Sequence, residues 1–473
     1  MKKTIHWFRQ DLRVADNPAW VSACESGAVF PVYIHDTENG RDEQLGAASE
    51  WWLHHSLESL NKSLGGALNI YAGDSAEIIH QLVRKYDISG VTWNGCYEPW
   101  RVELDRAVTD LLEKEGIEVA VFNGSLLWAP EEVSKQDGTP YKVFTPFFKR
   151  GCLGAMPPRR PLPEPKGRYG RDPESVELKE LDLLPKQGWD AAFYDHWKPG
   201  ETGAFQRLES FLALGLKGYK EGRDFPARKN VSRLSPHLHF GEISPNQIWY
   251  AVRNRTADDD VGHFCSELGW REFSNHLLFH FPYITKRNLN PKFDVFPWDP
   301  DEKKLQAWQQ GKTGIPIVDA GMRELWQTGY MHNRVRMVAA SFLVKNLLIH
   351  WKEGERWFRD TLVDADLANN TASWQWVAGS GADAAPYFRI FNAVTQGRKF
   401  DSDGAYIRSY IPEISRLPDK YLFSPWEAPE NILREAGVVM GSDYPLPIAD
   451  LKKSRADALA AYATIKEGGT SSA

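Results

Sequence analysis

Cysteine is scarce in this chain. Its 473 residues include only four, Cys24, Cys96, Cys152 and Cys265, and none of them forms a CxxC pair or a cysteine–histidine cluster with zinc spacing. The pattern therefore argues against a disulfide framework and predicts no metal site. A reducing, cytoplasmic location fits this use of cysteine.

Long apolar runs are also missing. No run approaches the ~20 residues that a membrane-spanning helix needs, and the basic start MKKTIHW lacks the apolar segment of a secretory signal. The HExxH and GxSxG signatures are absent, and no GxGxxG follows the first strand. These absences disfavour zinc proteases, α/β-hydrolases and ordinary dinucleotide-binding enzymes.

Excess positive charge is missing too. The formal net charge is −6, which argues against a highly basic nucleic-acid coat protein but allows a local basic groove. Tryptophan, in contrast, is abundant, with 19 residues. Most are expected to pack in a core, and composition alone does not separate these from any that stack on a ligand or carry electrons.

Short apolar runs alternate with amphipathic stretches through the first quarter of the chain. The runs cover residues 4–8, 30–34, 68–71, 91–93 and 119–122, and the amphipathic stretches cover 47–64, 75–85 and 98–115. This alternation is typical of βαβ units, so it predicts an α/β domain with a parallel sheet.

The pattern changes twice further along. Prolines crowd residues 156–185 and prevent long helices, whereas helical periodicity dominates from about residue 203 almost to the glycine- and serine-rich end, 468–473, which is expected to fray. We therefore predict an α/β domain over residues 1–130, a long surface connector over 131–200 and an all-α domain over 201–473.

Residues 7–18, WFRQDLRVADNP, indicate by themselves only a strand followed by a turn. They also resemble the opening of the photolyase/cryptochrome family. The resemblance continues in order at 232–236 (SRLSP), 266–273 (SELGWREF), 330–337 (YMHNRVRM), 364–370 (DADLANN), 374–376 (WQW) and 387–392 (YFRIFN). It is nearest to bacterial cyclobutane pyrimidine dimer photolyases of the class I or class III type. It implies an N-terminal antenna domain and a C-terminal helical domain that binds FAD and DNA.

The resemblance implies a set of flavin contacts: Tyr219, Val231, Ser232, Arg233, Leu234, Ser235, Arg336, Asp364, Asp366 and Asn370. Val231 departs from the threonine frequent in relatives, so a hydroxyl contact is lost there. Asp364 and Asp366 lie two residues apart, which predicts a turn or a helix start. Asn370 matches the position facing flavin N5, where plant cryptochromes carry aspartate; a neutral amide cannot supply a proton there, which favours repair over signalling.

The lesion pocket is implied in the same way. Glu267, Trp270 and Arg271 share one helix face, as do Asn333 and Met337. In the family such residues receive a dimer flipped out of DNA: Trp270 and Trp376 stack on the bases, while Glu267 and Asn333 bond their edges. Contacts to flanking DNA phosphates are expected from Arg271, Arg334, Arg398 and Lys399.

Trp374, Trp351 and Trp298 match the family's electron-transfer chain from the flavin to the surface. Residues 47–55 and 96–99 resemble bacterial class III relatives, several of which bind methenyltetrahydrofolate as an antenna. Trp51 and Glu98 are the expected contacts to it, a deazaflavin is the alternative chromophore, and helix packing of Trp51 with an exposed Glu98 is an equal alternative.

The leading hypothesis is a light-dependent enzyme, a deoxyribodipyrimidine photolyase. Its excited reduced FAD passes an electron to a flipped-out cyclobutane pyrimidine dimer. A cryptochrome-type blue-light receptor that signals through a partner protein is the alternative, and a flavoprotein that binds DNA without repairing it is a third. The expected partner is ultraviolet-damaged DNA, and the expected form is a cytoplasmic monomer without an obligate protein partner or a membrane.

Overall fold

The computed structural model describes residues 2–40, 43–255 and 258–467. Its N-terminal part contains a parallel sheet with the strands β1 (Lys3–Phe8), β2 (Ala28–Asp36), β3 (Asn69–Gly73), β4 (Gly90–Asn94) and β5 (Glu118–Phe122). The strand order is β3-β2-β1-β4-β5, so the connections reverse direction between β1 and β4. Ligands of such sheets bind outside the carboxyl ends of the strands at that reversal.

The predicted strands are confirmed to within a few residues, because each is a short apolar run between turn signals, although β5 at the sheet edge is at most partly buried. β1 and β4 are almost entirely buried. The helices between strands are α1 (Pro18–Ser26), α2 (Ala47–Ser63), α3 (Ser75–Tyr86) and α4 (Pro99–Lys114). The sequence had indicated only a turn after β1, so helix α1 was missed. Asn17 caps this helix by accepting from the Trp20 N–H, and Pro18 lies in its first turn.

The segment between the two domains is less of a loop than its prolines suggested. It contains α5 (Phe144–Pro146), a π-helical stretch at Phe147–Cys152, a two-residue strand β6 (Arg168–Tyr169) and α6 (Phe193–His196). β6 pairs in parallel with the first two residues of β2. Phe144, Phe147 and Phe148 are buried against the helical domain. Part of the predicted surface connector is therefore core.

The C-terminal domain is helical, as predicted. Its helices are α7 (Glu201–Ser210), α8 (Tyr219–Gly222), α9 (Ser235–His239), α10 (Pro245–Arg253), α11 (Asp259–His280), α12 (Glu302–Gln309), α13 (Pro316–Thr328), α14 (Asn333–Ser341), α15 (Trp351–Thr361), α16 (Leu367–Ala378), α17 (Ala393–Phe400), α18 (Ala405–Tyr410), α19 (Asp419–Leu422), α20 (Glu430–Ala436) and α21 (Leu451–Glu467). Two further π-helical stretches lie at Phe211–Gly215 and Phe342–Asn346.

Short 3-10 helices lie at Pro130–Glu132, Leu178–Leu181, Pro282–Thr285, Pro291–Val295, Pro412–Ile414 and Pro425–Glu427. Among the described residues, no helix is long and apolar enough to cross a bilayer, and no cluster of three or more metal-type side chains occurs. The predicted frayed tail, residues 468–473, lies outside the described residues.

The two domains share buried polar contacts. The Arg13 guanidinium, which is fully buried, donates to the carbonyls of Asp16 and Gly124 and to that of Gly241 in the helical domain, at 2.7–3.1 Å. The buried Glu242 carboxylate accepts from the Trp52 indole N–H at 2.9 Å. Buried charges need such partners, so these contacts hold the domains in a defined arrangement.

Candidate functional site

A deep cavity opens between four helices of the C-terminal domain. Its walls come from α11, α14, α15 and α16, and it encloses about 1260 Å³ including its open mouth. It brings together residues that sequence analysis had placed in three separate roles: Glu267, Trp270, Asn333, Met337 and Trp376 of the lesion set, Arg336, Asp364 and Asn370 of the flavin set, and Trp374 of the electron-transfer set.

Asp364 and Arg336 form an ion pair at the cavity wall. The Arg336 Nη2 donates to both carboxylate oxygens of Asp364 at 3.0 and 2.9 Å, and the Ser235 hydroxyl donates to Asp364 Oδ2 at 2.6 Å. Burial would lower the pKa of Arg336, but the Asp364 charge opposes this and the pKa is raised. The wall therefore presents a fixed cation–anion pair on a buried surface.

Asp366 begins helix α16. It is the N-cap, and its side chain accepts from the Asn369 N–H at 2.8 Å, so the predicted helix start is confirmed. One turn on, the Asn370 amide donates to the Glu355 carbonyl at 3.0 Å. This bond fixes the amide orientation, and Asn370 lines both this cavity and a second one described below.

The loop before α9 lies beside this ion pair, which Ser235 at the end of the loop contacts through Asp364. Arg233 has a positive φ of 52° and its guanidinium lies over the Tyr330 ring, 5.1 Å from the centroid. Leu234 is the N-cap of α9 and Ser235 is its first helical residue, and the Ser235 hydroxyl is bonded to Asp364. Val231 and Ser232 lie in the same loop, partly buried.

Tyr219 is buried in the core of the domain, edge-on to Phe211 and Phe264. The Arg223 guanidinium lies over the Tyr219 ring, 5.6 Å from its centroid. Arg223 is a cavity residue that the sequence motifs did not indicate. The Arg223 Nη1 contacts Glu267 Oε1 as a close ion pair, and both residues line the cavity. The two lie far apart in the chain, so no periodicity could have revealed the pair.

Two tryptophans form aromatic parts of the cavity wall. Trp270 comes from α11 and Trp376 from α16, and both are partly buried. Asn333 and Met337 of α14 line the same cavity. His332 caps this helix by accepting from the Arg334 N–H at 3.2 Å, and burial lowers the pKa of His332 to about 3, so its ring is neutral.

The three tryptophans of the expected electron route belong to or pack against one hydrophobic cluster of the helical domain. Trp374 and Trp351 are fully buried, and Trp298 is partly buried. His350 lies between the outer two, with ring centroids 5.0 Å from Trp298 and 5.5 Å from Trp351. The Trp351 indole N–H donates to Asn288 Oδ1 at 2.9 Å.

The four cations expected to contact DNA are mostly engaged within the protein. Arg271 donates to the Ser125 carbonyl at 2.8 Å and Arg334 pairs with Asp224 at 2.8 Å. Arg398 contacts the Ser424 hydroxyl at 3.2 Å, and the Lys399 ammonium lies over the Phe400 ring. Arg398 and Lys399 share α17, whereas Arg271 lies at the domain boundary.

A second, narrow cavity, which encloses about 1010 Å³ when the solvent at its open mouth is included, lies at the carboxyl ends of β1 and β2, at the chain reversal. Glu98 lines it, with Trp100 and Arg101 of α4 beside it. Trp51 does not: it is fully buried and packs edge-on against Phe193 and Tyr194. The structure therefore does not bring Trp51 and Glu98 together, and Trp100, which sequence analysis passed over, lines the cavity instead.

Comparison with known proteins identifies both domains. A family model described as DNA photolyase matches residues 4–166, and one described as the FAD binding domain of DNA photolyase matches residues 264–464. A deoxyribodipyrimidine photo-lyase of Agrobacterium fabrum is 50% identical over 98% of each chain. Cryptochrome-1 of Arabidopsis thaliana is 38% identical over 96% of this chain and 69% of that protein.

Solved structures agree. The crystal structure of a bacterial class III photolyase from Agrobacterium tumefaciens matches with a TM-score of 0.95 at 50% identity, covering 99% of this chain and 98% of that one. The resemblance read from the motifs is thus confirmed over both domains. The chain belongs to the photolyase/cryptochrome family, with an N-terminal α/β photolyase domain and a C-terminal helical FAD-binding domain.

Proposed function

We propose that this protein is a cyclobutane pyrimidine dimer photolyase that uses FAD and light to repair DNA. The observation that carries the proposal is one cavity whose walls hold three residues of the flavin set, Arg336, Asp364 and Asn370, together with five residues of the lesion set. Direct electron transfer needs donor and acceptor in one site, because tunnelling weakens steeply with distance. The name of the Agrobacterium fabrum relative supports the same reaction.

The cavity fits FAD in the chemistry of its walls, which carry a buried ion pair, a side-chain amide and aromatic rings. The Arg336–Asp364 pair and the Asn370 amide would hold the polar edge of the isoalloxazine, and the loop of Ser232 and Ser235 would face the phosphates. Bound FAD supplies the light-driven electron, and the chain's own residues orient it and limit water.

The lesion side would act through stacking and hydrogen bonds. Trp270 and Trp376 offer ring faces to the two bases, and stacking contributes ~1–3 kcal/mol per base. Asn333 would donate to one base and Glu267 would bond the other, with Met337 closing the wall. Since Glu267 contacts Arg223 in the free protein, we infer that the base edge competes with this arginine for the carboxylate.

Electron supply would follow Trp374, Trp351 and Trp298, with the His350 ring between the outer two. The second cavity is the proposed antenna site, because it lies where α/β sheets bind ligands. Methenyltetrahydrofolate is favoured and a deazaflavin is the alternative. Glu98 is retained as a contact, and Trp100 is added as a ring that could stack on the chromophore.

The test is repair of an oligonucleotide with one thymine dimer, by purified protein with reduced FAD under blue light. Glu267→Ala should lower the repair yield at least tenfold while FAD stays bound. Asp259→Asn, an exposed residue of the same helix paired with Lys220, is the control and should repair normally. No dimer loss with the unmodified protein would contradict the proposal.

A blue-light receptor is the second candidate, supported by the 38% identity to Cryptochrome-1 of Arabidopsis thaliana. Asn370 argues against it, because a neutral amide is too weak an acid to transfer a proton to the flavin as a carboxylic acid can. Photoreduction of the flavin without any dimer repair would favour the receptor.

A further inference from the structure

Three parallel aromatic rings lie behind the lesion side of the cavity. Phe144 stacks on Trp270 with centroids 3.8 Å apart and planes 10° apart, and Phe148 lies parallel to Phe144 at 5.6 Å and 9°. Trp270 lines the cavity, whereas Phe144 and Phe148 do not. One face of the Trp270 indole is therefore covered by Phe144, so the stacking of a ligand must use the other face.

The close approach is built into helix α11. Gly269 precedes Trp270, and a Cβ on Gly269 would lie 2.4 Å from Cδ2 of Phe148. Any side chain there would push Phe148 away, so glycine lets the aromatic segment approach the helix. Phe273 packs edge-on against both rings, with its ring centroid 5.9 Å from that of Trp270 and 6.0 Å from that of Phe144.

The segment that carries the rings is fixed at two further points. The Phe144 N–H donates to Asp383 Oδ2 at 3.1 Å, and the Tyr141 N–H donates to the buried His276 Nε2 at 3.1 Å. Asp383 follows Ala382, which lines the cavity after α16. The interdomain segment thus contacts α11, which carries Trp270, and the loop that follows α16, the helix that carries Trp376.

We propose that Phe144 is a positioning residue that holds the Trp270 indole in the plane needed to stack on a flipped-out base. This inference rests on the proposed lesion pocket, and it adds the residue that orients one wall of that pocket before DNA binds. An indole free to change rotamer would lose side-chain entropy on binding the lesion, whereas a ring already clamped by Phe144 does not. Phe144 should therefore affect the affinity for damaged DNA and not the chemistry after binding.

The expected effect follows from the strength of one aromatic pair, which corresponds to about a three- to tenfold change in affinity. Phe144→Leu should bind a thymine-dimer oligonucleotide about three- to tenfold more weakly and leave binding of the undamaged oligonucleotide unchanged. The repair yield per bound dimer should stay at the unmodified value. Phe144→Tyr keeps the stacked ring and should restore the affinity.

Phe147→Leu is the matched control. Phe147 is buried in the same segment but contacts Phe273 and His276 instead of stacking on Trp270, so it should leave the affinity ratio of damaged to undamaged DNA unchanged. A FAD absorption spectrum checks that each variant is folded. If Phe147→Leu lowered the ratio as much as Phe144→Leu, general loosening of the segment would explain both and the proposal would be wrong.

A double-mutant cycle separates this proposal from the lesion pocket itself. In a Trp270→Leu background, Phe144→Leu should cause no further loss of affinity for dimer DNA, because its effect acts through the indole. An equal loss in both backgrounds would overturn the positioning role and keep the pocket. Normal affinity of Trp270→Leu alone would overturn the pocket assignment and the positioning role together.

Discussion

At the scale of single residues, Glu272 shows how burial makes one carboxyl sensitive to pH. It lies on α11, 3% exposed, and accepts the Leu127 N–H at 2.9 Å and the Trp128 N–H at 3.3 Å. Burial raises the pKa of Glu272 to about 7, although Arg271 opposes the shift. This one side chain therefore joins the end of the α/β domain to the helix that carries Trp270.

The raised pKa predicts a stability effect of definite sign. Between about pH 4.5 and 7 the folded protein holds a proton that the unfolded chain has released, so the free energy of unfolding falls as pH rises through this window. Glu272→Gln lacks this dependence. Its stability relative to the unmodified protein should rise by up to about 3 kcal/mol between pH 5 and pH 8, measured by urea unfolding.

Glu103→Gln changes an exposed glutamate of α4 and should give the same relative stability at both pH values. If the stability of Glu272→Gln relative to the unmodified protein were also the same at pH 5 and pH 8, Glu272 would already be ionised in the folded protein at pH 5.

At the scale of elements, helices α15 and α16 meet through a glycine. A Cβ on Gly354 would lie 2.0 Å from Cη2 of Trp374, and Trp374 is buried. The contact brings α15, which also carries Trp351, against the innermost tryptophan of the proposed electron route. Here the absence of a side chain sets the distance between two helices.

Gly354→Ala should therefore overpack this contact. The expected loss is about 1–3 kcal/mol of unfolding free energy, measured by urea unfolding, with slower photoreduction of the flavin as Trp374 is displaced. Gly262→Ala on the exposed face of α11 meets no atom within 4 Å and should instead gain about 0.5–1 kcal/mol. Equal effects of the two substitutions would show that Trp374 can shift without cost.

Sequence patterns predicted the elements well and the contacts between them poorly. Strands and α/β helices follow local periodicity, and the Asp364–Asp366 spacing predicted the start of α16. The Arg223–Glu267 pair and the Phe144–Trp270 stack join segments 44 and 126 residues apart, and no local pattern encodes such distances. Trp51 and Trp100 show the same limit, because helix position alone does not tell which of two tryptophans faces a cavity.

At the scale of the whole molecule, the domain boundary is buried and polar. Glu242 accepts from the Trp52 indole at 2.9 Å and from the Gly200 N–H at 2.6 Å, and Trp52 is fully buried. Since α2 supplies Trp52 and the helical domain supplies Glu242, neither domain completes this cluster alone. We expect the two domains to unfold together.

Trp52→Phe tests this coupling. The phenyl ring cannot donate to the buried Glu242 carboxylate, so the free energy of unfolding should fall by about 1–3 kcal/mol. Thermal unfolding followed by flavin release and by far-ultraviolet circular dichroism should shift to lower temperature by the same amount, as one transition. Trp326→Phe, half exposed, is the control with little expected shift. Separate transitions for the two signals would contradict the coupling.

Strand β6 gives the interdomain segment a task beyond linking two domains. β3 pairs with β2 only from Val32 onward, and β6 covers Ala28 and Val29 on the part of β2 that lies before it. The Gly170 N–H also donates to the Val29 carbonyl at 2.7 Å. Uncovered backbone at a strand edge is a template for pairing with other chains. A chain with a disrupted 168–170 stretch would therefore stay folded but become prone to aggregation, so the segment contributes to solubility.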